Sequence, residues 1–136
     1  MIRAVSAYLN KQQITILNTD FEEAVRDAKE GDLVYFDPPY DPVSETSAFT
    51  SYSLNGFNKE HQMQLRDLFE ELDRRGCHVL LSNSATDFIF DLYQNYRIVT
   101  VRASRSINSV SDKRGKINEV LVMNYEPKPK SLDNPI

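Results

Sequence analysis

The tetrapeptide Asp37-Pro38-Pro39-Tyr40 contains the residue types that most directly suggest chemistry. Its two prolines fix their φ angles at about −65° and remove two backbone donors. The Asp37 carboxylate and the Pro38 carbonyl are therefore stiffly held acceptors beside an aromatic ring. Such a pair suits a planar group that carries an NH₂, for example the exocyclic amine of a nucleobase. If each oxygen accepts one N–H, the nitrogen is drawn toward tetrahedral geometry and its lone pair becomes available for attack.

The same four residues also have plainer interpretations. A bare Pro-Pro pair most often forms a rigid turn that ends a strand, and a proline-rich ligand for an aromatic groove needs a longer run. From average residue usage, however, the full tetrapeptide occurs in about one chain of this length per thousand or more. It also follows the continuous apolar run 33–36. It is therefore predicted to lie at the carboxyl edge of a sheet, where open α/β folds bind ligands.

Strands and helices alternate on both sides of this tetrapeptide, residues 37–40, which we call the corner. Thr19 precedes Glu22 at the capping-box spacing, and Ser84 precedes Asp87 in the same way, so each pair predicts a helix start. A third helix begins near residue 58, and its apolar residues at i, i+3, i+4 and i+7 are Leu65, Leu68, Phe69 and Leu72. The predicted strands are 14–18, 33–36 (buried on both faces), 78–81, 97–101 and 117–123. The predicted helices are 20–30, which ends at Gly31, one from 58 to Gly76, and one from 84 with Phe88, Leu92 and Tyr93 on its apolar face.

This alternation predicts an α/β fold with helices on the faces of a mostly parallel sheet. The last two strands have no helix between them, so an antiparallel terminal hairpin is expected. The chain of 136 residues is one domain at most. Residues 1–13 and the last dozen are not expected to join its core.

Composition removes several classes of protein. The sequence has no apolar run of the ~18 residues that a membrane span needs and no signal peptide, so a cytoplasmic protein is expected. The single cysteine, Cys77, cannot form an intramolecular disulfide or a cysteine-based zinc site. We interpret it as a small core residue, because it precedes an apolar strand. No metal site is predicted.

The charge is unevenly distributed. The whole chain has a net charge of −4, whereas residues 102–116 contain five basic residues and one acidic residue, a local charge of +4. The rest of the chain is therefore −8. This basic stretch is either a solvated loop or a nucleic-acid contact. A second long segment, 41–57, is rich in serine and threonine, and its length is typical of a lid or a binding loop.

The sequence resembles the DNA adenine-N6 methyltransferases of the Dam and DpnM kind, the D12 class. The resemblance rests on the tetrapeptide, on the earlier pair Asp20-Phe21, and on the pattern Pro42-x-Ser44-x-Thr46-x-x-Phe49-Thr50-x-Tyr52. It extends from about residue 2 to Tyr125 and is strongest from Gly31 to Tyr52. It implies a partial Rossmann-like methyltransferase fold.

The resemblance also implies a mechanism. An adenine flipped out of double-stranded DNA enters the turn, Asp37 and Pro38 bind its N6, Pro39 stiffens the corner, and Tyr40 stacks on the base. Methyl passes directly from S-adenosylmethionine to the nitrogen. Asp20 and Phe21 lie beside the cofactor's adenine, with Asp37 close to the same site. The implied DNA contacts are Ser44, Thr46, Thr50, Arg102, Arg105, Lys113, Arg114 and Lys116.

Two further features separate related chemistries. Aspartate at the first position of the tetrapeptide is typical of adenine-N6 enzymes, so methylation of RNA or of a protein amide is the weaker alternative. Cys77 lacks the proline-cysteine context of the cytosine-C5 enzymes, and direct transfer to nitrogen needs no thiol nucleophile.

Parts of the family pattern are missing. The four glycines do not form a glycine-rich cofactor loop, and the chain has no tryptophan. We therefore expect residues 1–125 to be the carboxyl-terminal part of a catalytic domain, and 126–136 a disordered tail. Such a fragment is expected to bind S-adenosylmethionine weakly or not at all when alone, and to methylate DNA undetectably. The fragment must pair its first strand differently, recruit a second chain that supplies the cofactor loop and recognition domain, or self-associate. A non-catalytic DNA-binding remnant, or one half of a split enzyme, is the alternative function.

Overall fold

The computed structural model describes residues 2–11, 14–43, 56–103 and 117–127. The helices are α1 (Ile2–Lys11), α2 (Phe21–Ala24), α3 (Lys59–Arg74) and α4 (Asp87–Leu92). The strands are β1 (Leu33–Phe36), β2 (His78–Ser84), β3 (Arg97–Ala103) and β4 (Ile117–Met123).

The four strands form one sheet with the order β1-β2-β4-β3. β1 is parallel to β2, and β4 is antiparallel to both β2 and β3. In the described part of the chain, three strands therefore share one direction and β4 alone is reversed. This confirms the predicted α/β class, the mostly parallel sheet and the antiparallel terminal hairpin. The reversed strand β4 lies inside the sheet rather than at its edge, because β2 pairs with one side of β4 and β3 with the other.

The core lies on one face of the sheet. The four apolar residues predicted for the buried face of α3 are buried, which confirms that helix. They pack against Val79 and Leu81 of β2 and against Val120 and Val122 of β4. Tyr93, at the end of α4, joins the same core and contacts Phe69 edge-on, with ring centroids 5.4 Å apart.

α3 begins as the sequence predicts, whereas α4 begins later. Asn58 caps α3, and its Oδ1 accepts a hydrogen bond from the His61 backbone N–H at 3.0 Å. The prediction that Ser84 caps α4 is wrong. β2 continues to Ser84, which pairs with Glu119 of β4, so the cap moves to Thr86.

The helix predicted over 20–30 is shorter, and its cap is Asp20 rather than Thr19. The Asp20 carboxylate accepts from the Glu23 N–H at 2.8 Å. The helix ends at Ala24, and the carbonyls of the next two residues, Val25 and Arg26, accept from the Arg75 guanidinium at 3.4 and 3.1 Å. The positive φ of 86° at Gly31 then turns the chain into β1, as expected of a glycine at that point.

The strand predicted over 14–18 is wrong. These residues have no regular structure and are exposed, Ile16 to 82%. A strand needs a hydrogen-bonded neighbour, and within the described residues nothing pairs with the outer edge of β1. β1 is consequently not buried on both faces as predicted, since Leu33 is 65% and Tyr35 55% exposed. α1 buries none of its residues, so the expectation that 2–11 stay outside the core is confirmed.

Candidate active site at the carboxyl edge of the sheet

The predicted corner lies where the sequence places it. β1 ends at Phe36, and residues 37–40 follow at the carboxyl edge of the sheet. Because β2 is parallel to β1, with Phe36 opposite Leu81, the last residues of β2 reach the same edge. This brings the polar run Ser82-Asn83-Ser84 beside the tetrapeptide.

The Asp37 carboxylate is exposed and held by a neighbouring hydroxyl. Its Oδ1 accepts from Ser82 Oγ at 2.7 Å, and Ser82 Oγ in turn accepts from the Tyr35 hydroxyl at 3.1 Å. Among the described residues, Asp37 forms no ion pair, and no hydrogen bond engages the Pro38 carbonyl. The second carboxylate oxygen and the Pro38 carbonyl are thus two acceptors open to a ligand.

The Tyr40 ring is half-buried, and its phenol forms a hydrogen bond with the Ser82 side chain. Burial raises the pKa of this phenol above its ordinary value, partly offset by that hydrogen bond. The phenol is therefore neutral at physiological pH.

A buried network holds the corner from the core face of the sheet. Asn83 Oδ1 accepts from the Asp41 N–H at 2.9 Å, and Asn83 Nδ2 donates to Gln62 Oε1 at 3.1 Å. Gln62 Nε2 donates to the Pro39 carbonyl at 2.9 Å. Thr86 Oγ1 completes the network by donating to the Asp41 carboxylate at 2.6 Å. The corner is thus fixed from both faces, by Ser82 on one side and by the two amides on the other.

An apolar pocket of about 250 Å³ opens beside the corner. It brings the predicted cofactor residue Phe21 together with Asp37, across more than a dozen residues of sequence. Phe57 forms part of its wall and contacts Phe21 edge-on, with ring centroids 6.1 Å apart. The full lining is Phe21, Tyr35, Phe36, Asp37, Pro38, Pro39, Phe57 and Leu65.

Asp20 does not line this pocket. One of its carboxylate oxygens caps α2, and the residue borders a neighbouring polar cleft of about 540 Å³ together with Glu23 and Arg26. Tyr40 also lies outside the lining of the apolar pocket. The structure therefore groups Phe21, Asp37, Pro38 and Pro39, and leaves Asp20 and Tyr40 at its borders.

Of the predicted DNA contacts, only Arg102 lies within the described residues. It is exposed near the carboxyl end of β3, which has the same direction as β1 and β2, so the basic stretch begins at the edge that carries Asp37. The remaining predicted contacts lie outside the described residues: Ser44, Thr46, Thr50, Arg105, Lys113, Arg114 and Lys116.

Sequence reasoning missed four residues of this site: Gln62, Ser82, Asn83 and Phe57. The signal for two of them was visible, because Ser82 and Asn83 end an apolar strand parallel to β1 and must reach the same edge. Gln62 had no such signal. It occupies the buried face of a helix, where its role depends on which carbonyl the fold places opposite it.

Cys77 is a core residue, as interpreted from the sequence. It is buried, its thiol donates to the Lys29 carbonyl at 3.2 Å, and burial raises the pKa of that thiol. In the described ranges, no cluster of three or more His, Cys, Asp or Glu residues is arranged to hold a metal ion. None of the helices over these ranges has the length and apolar character that crossing a bilayer requires.

The fold and the site together define a class: α/β proteins that present a carboxylate and a backbone carbonyl at the carboxyl edge of the sheet. Residues 1–107 match the family described as D12 class N6 adenine-specific DNA methyltransferase. The chain belongs to this family, and the resemblance noted from its motifs is confirmed.

The names of similar proteins are consistent with this family. The chain is 50% identical over 125 residues to a type II methyltransferase of Lactococcus lactis subsp. cremoris, which covers 92% of this chain and 44% of the relative. It is 43% identical over 116 residues to a type II methyltransferase of Methanocaldococcus jannaschii, covering 84% and 40%. It is 36% identical over 107 residues to the DNA adenine methylase of Escherichia coli strain K12, covering 79% and 38%. The chain thus spans less than half the length of these relatives.

Proposed function

We propose that this chain is the carboxyl-terminal catalytic part of an enzyme that transfers methyl from S-adenosylmethionine to N6 of an adenine flipped out of duplex DNA. The observation that supports this best is the state of the two acceptors. The Asp37 carboxylate is exposed, hydrogen-bonded by Ser82 and not ion-paired with any described residue, and the Pro38 carbonyl beside it has no described partner. An aromatic amine with two in-plane N–H groups satisfies both oxygens.

In this mechanism, Asp37 and Pro38 each accept one N–H of the adenine N6. Drawing the nitrogen toward tetrahedral geometry takes its lone pair out of conjugation with the purine ring, so that the lone pair can form the new N–C bond. S-adenosylmethionine would supply the methyl group as an electrophile, and the bond from this methyl to the sulfonium sulfur would break as the N–C bond forms, leaving S-adenosylhomocysteine. Asp37 polarises the amine rather than removing a proton beforehand, and the surplus proton leaves to solvent after transfer. The interactions strengthen as positive charge develops on nitrogen, so they favour the transition state.

The apolar pocket fits part of the cofactor. Its rings Phe21 and Phe57 offer faces and edges to a planar purine, and Asp37 borders the same space. Asp20, with one carboxylate oxygen engaged in capping α2, retains a second that would accept from the purine's amine. The described lining has no basic side chain for the carboxylate of the methionine portion. We therefore propose that this chain holds only the adenine portion.

For DNA, we propose that residues 102–116 lie along the backbone and that the hydroxyls of Ser44, Thr46 and Thr50 contact phosphates near the flipped base. Arg102 supports the first part, since it is exposed at the edge that carries Asp37. Binding of DNA through this stretch should weaken steeply as the salt concentration rises, because the entropy gained when cations are released from DNA becomes smaller.

The uncovered edge of β1 favours a partner. Its outer backbone groups have no described neighbour, and Leu33 and Tyr35 expose apolar surface beside them. We propose that this edge is covered by protein that carries the cofactor loop, either a second chain or the rest of a longer one. A non-catalytic remnant is the second candidate, favoured by the lack of a cationic residue among the described residues that line the pocket. Co-purification of a chain with a glycine-rich loop would support the split enzyme.

The test is Asp37→Ala in the methylating form of the protein, by which we mean this chain combined with the protein that carries the cofactor loop. We expect turnover to fall about a thousandfold or more, because the N6 amine loses its charged acceptor, while duplex affinity changes only a few-fold. Methyl transfer to DNA and a duplex-binding titration measure the two effects. Asp91→Ala, at an exposed aspartate of α4, is the matched control and should retain wild-type turnover. Equal losses of turnover and affinity in Asp37→Ala would make Asp37 structural.

A further inference from the structure

Two amide side chains beneath the corner, Gln62 and Asn83, are buried far beyond what is usual for their type. Gln62 is 2% exposed and Asn83 is fully buried. Gln62 comes from α3 and Asn83 from β2, so the pair joins two elements. Neither lines the apolar pocket, and neither reaches the exposed acceptors directly.

The hydrogen-bond partners of Gln62 and Asn83 allow only one orientation of each side-chain amide. Asn83 Oδ1 faces two backbone donors, the N–H groups of Asp41 and Ser84, both at 2.9 Å, so its Nδ2 must face Gln62. Gln62 therefore presents Oε1 to Asn83 and Nε2 to the Pro39 carbonyl. Gln62 must both accept and donate, and few side chains of that length do both.

The two anchored groups lie on either side of Tyr40. Proline fixes φ and leaves ψ free, so the prolines alone do not set the direction of the chain that leaves Pro39. The bond from Gln62 fixes the Pro39 carbonyl and hence its ψ, and the bond to Asn83 fixes the N–H of Asp41. Together they determine the backbone of Tyr40, and through it the ring and the approach to the Pro38 carbonyl.

We infer that Gln62 and Asn83 are positioning residues of the methyl-transfer site: a buried amide relay that completes the rigidity which the two prolines only begin. This inference rests on the proposed function. It predicts that the pair affects turnover rather than DNA affinity, because neither side chain faces the ligand. Misplacing the acceptors by even a fraction of an ångström weakens the interactions made in the transition state.

The experiment compares Gln62→Met and Gln62→Glu in the methylating form of the protein. Methionine has similar length and neither donates nor accepts strongly, and glutamate keeps the acceptor for Asn83 while placing a second acceptor against the Pro39 carbonyl. Gln64→Met makes the same change at an exposed position of α3 and is the matched control. Leu72→Ala controls for lost stability, since Leu72 is buried in the core away from the corner.

Two measurements are made on each variant: steady-state methylation of duplex DNA, and hydrogen exchange of the Asp41 N–H by NMR relative to a core amide such as Val122. In both Gln62 variants we expect turnover to fall at least tenfold, DNA KM to stay within threefold, and the Asp41 amide to exchange at least tenfold faster. Gln64→Met should match the wild type, and Leu72→Ala should speed exchange at both amides alike.

Turnover within threefold of the wild type in Gln62→Met, or an unchanged Asp41 exchange rate, overturns the inference while leaving the proposed function in place. A loss of turnover no larger than that of Leu72→Ala at equal residual stability overturns it too. Failure of the wild-type chain to methylate adenine when it is combined with protein that carries the cofactor loop overturns the proposed function, and the inference with it, so the two failures are distinguishable.

Discussion

At the scale of single residues, the site combines an exposed charge with restricted freedom. A carboxylate on a surface loop ordinarily samples several rotamers, and ordering it on binding opposes the interaction. Asp37 avoids much of this because Ser82 already holds one oxygen, and Ser82 is in turn fixed by the Tyr35 hydroxyl. The remaining oxygen is left in place for a ligand.

Replacing Ser82 with alanine tests this arrangement. Ser82 is buried, so the change leaves the Tyr35 hydroxyl without its acceptor and frees the Asp37 side chain. We expect turnover to fall about tenfold and the free energy of unfolding to fall by roughly 1 kcal/mol. Methylation kinetics and urea unfolding measure the two effects. Ser82→Thr keeps the hydroxyl and should retain most of the turnover; wild-type turnover in Ser82→Ala would contradict the role.

At the scale of elements, α3 connects the core to the corner. Its apolar face is inserted in the core, and Gln62, in its second turn, reaches the Pro39 carbonyl. The capping box of Asn58 and His61 fixes where the helix begins, and therefore where Gln62 lies. At the far end, Asp73 accepts from the Tyr96 hydroxyl at 3.2 Å and from Asn124 at 2.6 Å, which ties α3 to the segments before β3 and after β4.

This far end predicts a dependence of stability on alkaline pH. Burial, and next the charge of Asp73, raise the pKa of Tyr96 to about 12. The folded state then holds a proton that the unfolded state releases above its ordinary value near 10. The stabilisation is fully present below about pH 10 and is lost as pH rises toward about 12. Urea unfolding midpoints from pH 8 to 12 measure it.

Tyr96→Phe provides the control for that titration. It should flatten the decline without removing it, because burial also raises the pKa of Tyr93. The same decline in the wild type and in Tyr96→Phe would assign it to other groups.

At the scale of the whole molecule, helices cover only one face of the sheet within the described residues. α3 and α4 pack on the face of Val79 and Val122, whereas Leu33, Tyr35, Val99 and Val101 remain exposed on the other. α1 and residues 14–17 expose further apolar side chains. Apolar surface of this extent is typical of a face that contacts more protein.

Cofactor binding by the chain alone tests this view. The apolar pocket offers rings to a purine but, over its described lining, no cation to a carboxylate. We therefore expect calorimetric titration with S-adenosylmethionine to show no one-to-one binding in the micromolar range. Adding the amino-terminal half of a relative in trans should restore binding, and Phe21→Ala should weaken what is restored. Micromolar one-to-one binding by the isolated chain would contradict this prediction.

The sequence alone was sufficient for the features that depend on local physics. An apolar run broken by two prolines determines where β1 ends and that Asp37 emerges at the sheet edge. The spacing of apolar residues determines α3 and its buried face. Boundaries that depend on distant partners were predicted less well: β2 continues to Ser84 because β4 pairs with it, and α2 ends at Ala24, just before two carbonyls that accept from Arg75.

Only the tertiary structure decided whether 14–18 forms a strand, since that depends on a neighbour and not on β-branched residues alone. It also decided which side chains hold the corner. Ser82 meets Asp37 across 45 residues of sequence, Asn83 meets Asp41 across 42, and Gln62 meets Pro39 across 23. No local pattern encodes such contacts. The residues proposed to face a ligand can be identified from one tetrapeptide in the sequence, whereas those that orient this tetrapeptide are set by the packing of α3 and β2 around it.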